Sequence, residues 1–319
     1  MIDVLMPGTG RPYLDVIFTG VKQAPEPGGE EFGDDLAFVP GGFLSAAFVM
    51  HRLGLNVVLE ATFGRDLGSR FLLESMEAAG LSREAVTVRD DLRAHVTVAF
   101  HNRTDRSFLS YEPPWYPPPD PALVERLRPR MVFFGGLKLR PSEPAREIAR
   151  RAKKIGALLL ADISEQPLTL ADEDMRQIIG AVDVFLCNER EARHLTGLAD
   201  ADAAHRALAA VAPVVVLKRG DCGARALWPH GAVELPAIPT TVVDTTGCGD
   251  SFNGGFIYAL LDGCSLDECV AWGNAAGSLA AAALGGTSAL ITREKLLALV
   301  EQHYAGKLTP DPLRKFTFD

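Results

Sequence analysis

Basic charge is scarce in this 319-residue chain: 32 lysines and arginines face 41 aspartates and glutamates, a net charge of -9. That balance offers no electrostatic footprint to a nucleic-acid backbone or an anionic membrane, so neither is expected as a partner. Cysteine is sparse too. Cys187, Cys222, Cys248, Cys264 and Cys269 form no CxxC pair, and an odd, scattered set is no disulfide framework, which points to a reducing cytoplasm. The opening "MIDVLMPGTGRPYLDVIF" has no basic segment ahead of an apolar one and does not read as a secretory signal. Long apolar runs are missing: the least charged, "AWGNAAGSLAAAALGGTSALI" at 271–291, is broken by Asn274, Ser278 and glycines, and predicts a closely packed internal helix and its following loop. Two nucleotide signatures are absent as well. The Gly306-Lys307 pair lacks the upstream glycine of a P-loop, and the G-x-G at 247–249 comes too late in the chain for a dinucleotide fingerprint.

What is present is an apolar share of 47%, ample for a sizeable core and read as one domain over 1–319. From residue 131 onward the runs "MVFFGG", "ALLLAD", "VDVFLCN" and "VVVLKRG" alternate with helical stretches such as "PSEPAREIARRAKKIG" and "DAAHRALAAVA". Continuous apolar runs separated by helix-length segments are what a doubly covered parallel sheet requires, so the core is expected to be α/β. The first third differs. "HVTVAFHNRTDRSFLSYE" at 95–112 alternates apolar and polar residues around the turn "NRTDR", which predicts an antiparallel hairpin. With the extended region 13–39 it would form a small sheet standing off the core, a lid built from about 13–39 and 93–112. "EPPWYPPPDP" at 112–121 is a stiff return to the core, although its PxxP spacing could also serve as a polyproline ligand.

"DTTGCGDSFNGGF" at 244–256 follows the extended "AIPTTVV" and opens a helix expected to be amphipathic, with Phe252, Phe256 and Leu260 at four-residue spacing. Glycines at a helix start let the backbone turn sharply and leave N–H groups pointing at one spot, a ready anion site. Asp250 at that positive end should be ionised and able to take a proton from a hydroxyl, a combination suited to phosphoryl transfer. On its own, GxGD is better read as a plain turn with Asp250 as an N-cap.

The longer stretch resembles the DTxGAGDxFxGG signature of the ribokinase-like (PfkB-type) carbohydrate kinases, with Cys248 where alanine is usual. Further likenesses occur in the same order: "PGGFLSAAFVMHRLG" at 40–54, "FGRDLGSRFLLESMEAAGL" at 63–81, "NEREARHLTG" at 188–197 and "VVLKRGDCGA" at 215–224. The resemblance implies an α/β, ribokinase-like Rossmann-type core, with a mainly parallel sheet flanked by helices and a small β-sheet lid. It implies an ATP-dependent kinase using Mg2+ and acting on a hydroxymethyl group of a sugar or sugar derivative. A nucleoside kinase of the same fold and a silent sugar-sensing protein are the alternatives.

By that resemblance Asp250 is the catalytic base and Gly247, Cys248 and Gly249 form the anion hole. Asn188 and Glu191 organise Mg2+ and its waters, Gly220 and Gly223 shape the nucleotide turn, and Asn274 stands beside the adenine. Lys218, where threonine is usual, could reach a phosphate or point to solvent; Cys248 could pack or be a reactive thiol. Asp244, Thr246 and Gly285 would frame a K+ loop. For the acceptor, Asp15, Gly41 and Gly42 match the sugar site, while Ser45 replaces asparagine and "DISEQP", with Ser164 and Gln166, departs from the common D-P-N-x-R-P run. Phe18, Phe43, Phe100 and Phe108 could line a purine-sized acceptor cleft, and Arg103 and Arg106 could hold an anionic acceptor. The lid is also expected to pair two copies of the chain as a homodimer.

Overall fold

The computed structural model describes residues 1–23, 26–101, 106–137, 142–163 and 167–308. The four apolar runs after residue 131 are the parallel strands Met131–Leu137, Leu158–Ile163, Val184–Asn188 and Val214–Lys218, neighbours in one eight-stranded sheet. Val4–Met6 and Val57–Leu59 extend it in parallel beyond Met131–Leu137, and the antiparallel strands Ala224–Trp228 and Gly231–Leu235 close the other side. Alternate residues of a strand face opposite sides. Phe133, Leu160, Leu186 and Val216 accordingly fill one core, and Phe134, Leu159, Phe185 and Val215 fill a second beneath the other helical layer. Burial on both faces is why these runs carry no polar alternation.

The helix Cys248–Leu261 corrects the expected amphipathic pattern: every residue from Ser251 to Leu261 is buried. It is wedged between the helices Leu44–Arg52 and Leu266–Ala281, so it has no solvent face. Its Gly254–Gly255 pair makes the contact close. A Cβ at Gly254 would lie 2.7 Å from Val49 Cβ, and one at Gly255 2.7 Å from the Trp272 carbonyl oxygen. Among the described residues no helix is long and apolar enough to cross a membrane.

A separate four-stranded sheet runs in the order Asp35–Gly42, Pro12–Thr19, His95–His101, Arg106–Tyr111. Its outer pairs are antiparallel and its central pair is parallel. Ile17, Val39 and Ala99 form its small buried cluster, while Leu36, Phe38, Phe108 and Leu109 are exposed. The hairpin tip with Arg103 lies outside the described residues, as do Ser164 and Gln166, and nothing is described of the Arg106 side chain. The return segment is tied to the core, since the Thr62 N–H donates to Tyr116 Oη at 2.7 Å. "AIPTTVV" forms no strand; residues 236–243 cross the sheet end as irregular chain.

Candidate active site

Four adjacent parallel strands end at one place. Gly136, Asp162, Asn188 and Lys218, at or near their carboxyl ends, line a cavity of about 910 Å3. The C-terminal edge of an open α/β sheet is where such folds bind ligands.

The glycine turn closes one wall. Gly247 has φ 72°, and a Cβ there would lie 2.5 Å from Gly286 Cα, so only glycine turns the chain this way. The helix starts directly after it, at Cys248. The Cys248 N–H donates to the Thr245 carbonyl at 3.3 Å, whereas the N–H groups of Gly247, Gly249 and Asp250 have no partner among the described residues. These three are the donors left for an incoming anion. Cys248 packs in part against the larger core and also lines the cavity.

Asp250 lines the same cavity. Against the ionisation expected from the helix start, burial first, and then the neighbouring Asp162 charge, push its carboxyl up to about 8. Lys218 works in the opposite sense. That lysine turns inward, not to solvent, with Nζ 3.4 Å from Asp162 Oδ2 and 3.2 Å from Asn253 Oδ1. Burial lowers its pKa, but Asp162, Glu191 and Asp250 outweigh burial and the net direction is upward. Asp162 is fixed in turn by the Gly136 N–H and the Asn253 amide. Neither Asp162 nor Asn253 is singled out by the sequence motifs, although Asp162 opens "DISEQP" at a strand end and Asn253 sits inside "SFNGG".

On the nucleotide side, Asn188 and Glu191 form a reciprocal capping box on the helix Glu189–Thr196, and both line the cavity. Burial raises the Glu191 pKa first, opposed by Lys218. Gly220 and Gly223 lie on the cavity wall at the turn after Lys218. The Asn274 amide donates to the Leu235 and Pro236 carbonyls, both at 3.3 Å, and so pins the start of the 236–243 segment, whose Ile238 and Val242 line the cavity.

On the acceptor side Gly42 lines the cavity, while Asp15, Gly41 and Ser45 are not among the lining residues. Asp15 fits against Gly41, where a Cβ would lie 1.9 Å from its carboxylate, and no donor among the described residues reaches that carboxylate. Burial first, and then Asp244, push it up to about 7. Ser45 stands against the Gly247 turn and its buried Oγ has no partner among the described residues. Asp244 binds the Thr246 N–H and hydroxyl through one oxygen and the Gly285 N–H through the other, joining the loop at 285 to the turn whose Thr245 and Gly247 line the cavity. Of the four phenylalanines, only Phe43 lines the cavity; Phe18 stacks on Phe100 in the small sheet, and Phe108 is exposed. Among the described residues no cluster of three or more His, Cys, Asp or Glu could hold a metal ion without other ligands.

A family model described as pfkB family carbohydrate kinase matches residues 24–293. A curated relative named 5-dehydro-2-deoxygluconokinase, from Shouchella clausii, is 24% identical over 294 residues, covering 86% of this chain and 90% of its own. The solved Arabidopsis thaliana ribokinase, complexed with ribose and ATP, has TM-score 0.79 at 20% identity and covers 94% of this chain and 99% of its own. The Burkholderia thailandensis nucleoside kinase, complexed with inosine, has TM-score 0.75 at 20% identity over 95% of this chain and 98% of its own. The two solved proteins share the fold described above.

Proposed function

The chain belongs to the pfkB family of carbohydrate kinases, and from that membership we propose that it transfers the γ-phosphoryl group of ATP to a hydroxymethyl group of a sugar or sugar derivative. The observation that carries this reading is Asp250 beside the N–H groups of residues 247, 249 and 250, which have no partner among the described residues, in one cavity with the Lys218 ammonium. Kinases of this family use ATP and Mg2+, and the cavity fits that pair: three backbone donors and one cation face the anionic side, with Glu191 nearby for a hydrated metal. MgATP, when bound, supplies the phosphoryl group and the divalent charge on its phosphates.

In this reading the protein's part is positioning and charge. Gly220, Gly223 and the Asn274-pinned segment 236–243 receive the nucleoside, and Asn188 holds Glu191 for the metal's waters. Asp15, a carboxylate that no donor among the described residues reaches, stands just behind the cavity wall at Gly42, and in this reading the acceptor hydroxyls hydrogen-bond to it there. Asp250 takes the proton of the attacking hydroxyl while the free N–H groups stabilise charge on the moving phosphoryl oxygens. The four-stranded sheet closes over the acceptor and excludes water. Its exposed Phe38, Phe108 and Leu109 pair two copies in a homodimer; a monomer by light scattering would remove that part.

An ADP-release screen over neutral sugars, sugar acids, sugar phosphates and nucleosides tests the reading. Turnover of at least one sugar-type acceptor is expected, and nucleotide binding without turnover of any would sink it in favour of a silent sensor. A purine-sized acceptor is less favoured, since Phe43 alone of the four phenylalanines reaches the cavity. The Asp244 staple between residues 246 and 285 frames the K+ loop of this reading. Activity should rise when K+ replaces a large organic cation, and equal rates in both would count against the loop.

A further inference from the structure

Arg11 stands at the mouth of the small sheet, immediately before the strand Pro12–Thr19, and lines the cavity with Tyr13, Gly42 and Phe43. This is the acceptor end, because the Arg11 carbonyl accepts the Phe43 N–H at 3.3 Å and lies against Gly42. The guanidinium is held from behind. Nη1 donates to the Gly8 and Gly10 carbonyls at 3.0 and 2.9 Å, and the group stacks 4.1 Å over the Tyr116 ring. Nε and Nη2, which together form one edge of the fork, have no partner among the described residues. Glu112, which takes a hydrogen bond from the Tyr13 hydroxyl, lies near enough to favour the Arg11 charge but makes no hydrogen bond to its Nε–Nη2 edge. A half-buried, pre-oriented cation with one free edge is costly to leave unmatched.

We propose that Arg11 reads a carboxylate on the acceptor, so that the substrate class is a sugar acid. The assignment rests on the phosphotransferase reading above and narrows it. Arg11 and Lys218 are the only basic residues among those described that line the cavity, and Lys218, bonded to Asp162 and Asn253 at the strand ends, belongs to the phosphoryl side of that reading. One free guanidinium edge, with two parallel N–H groups, matches a planar monoanion. A phosphate dianion would call for more donors than this end provides.

The test pairs sugar acids with neutral counterparts in which the carboxylate is replaced by a hydroxymethyl group, and adds the corresponding sugar phosphates. ADP release gives kcat/KM, and calorimetry with a non-hydrolysable ATP analogue gives binding without turnover. The best acid should exceed its neutral counterpart by about ten- to a hundredfold, the range expected for a charge-assisted hydrogen-bonded pair. Arg11→Gln should collapse that ratio towards one, mainly through KM. If Arg11→Gln does not fold, Arg11→Lys keeps the charge, loses the fork and should lower the ratio in part. A neutral sugar, nucleoside or sugar phosphate preferred over every acid would overturn the proposal and leave the kinase reading standing, as would an acid preference untouched by either variant. Absence of turnover with every acceptor would sink the kinase reading instead, and calorimetry would still decide whether an acid binds better than its neutral counterpart.

Discussion

Asp250→Asn should lower turnover by about a hundred- to ten-thousandfold, the usual contribution of a general base, while ATP affinity stays nearly unchanged. The asparagine keeps the shape of the site and removes only the proton acceptor. In the proposed reading the nucleotide phosphates are met by N–H groups of residues 247, 249 and 250 and by metal, none of which needs the carboxylate. The same substitution tests the buried-acid assignment through pH. With a folded value of about 8 against an ordinary 3.8, the Asp250 carboxyl holds its proton more tightly in the folded protein. Its contribution to stability is therefore fully present below about pH 4 and is lost as pH rises through about 8. Across that window the melting temperature of Asp250→Asn should fall less than that of the wild type, whose rate should climb as the base ionises. Parallel melting curves would show that Asp250 is already ionised in the folded protein. A variant with wild-type turnover would remove it as the base, and one that also loses ATP would make it a support of the loop.

The parts of this protein visible in its sequence are those where one physical demand governs a whole run of residues. Val214 to Leu217 is uninterruptedly apolar because both sheet faces are covered, and Met131 to Phe134 and Val184 to Cys187 read the same way for the same reason. The "GCGD" turn is visible because Gly247 has to adopt a positive φ against Gly286. Less visible are features that depend on what packs nearby. Phe252, Phe256 and Leu260 do mark a buried stripe, but two flanking helices bury the rest of Cys248–Leu261 as well, which four-residue spacing cannot foretell. The same holds for the site. Asp162 and Asn253 lie 91 positions apart and meet only through the sheet order, and Arg11 matters because Tyr116, from a distant return loop, stacks beneath it. The rule that ligands gather at carboxyl strand ends would have pointed to Asp162, the fifth residue of Leu158–Ile163.

Lys218→Met is the substitution expected to disturb most groups at once, because the lysine is the only cation beside Asp162, Glu191 and Asp250 among the described cavity-lining residues that approach it. Methionine preserves the length of the side chain and removes its charge. Breaking a buried pair in this way leaves the partner carboxylate uncompensated and typically costs about 3–5 kcal/mol. Lys218 and Asp162 have side chains only 13% and 8% exposed, so little solvent screening softens that loss. The effect should depend on pH. The Lys218 pKa is raised above its ordinary 10.5, so its stabilising charge is fully present at neutrality and is lost only on the far alkaline side. Burial raises the carboxyls of Glu191 and Asp250, so as pH falls these two partners are neutralised early and losing the lysine should matter least. Turnover should fall by about a hundredfold or more, as when a preorganised donor to developing charge is removed. The pH at which the remaining activity rises should also move upward, since Lys218 is what holds the Asp250 pKa down. Adding Asp162→Asn to Lys218→Met should restore part of the lost stability, because it removes the orphaned charge. A Lys218→Met enzyme with unaltered kcat and pH profile but a raised KM for ATP would assign the lysine to nucleotide binding alone and detach it from the base.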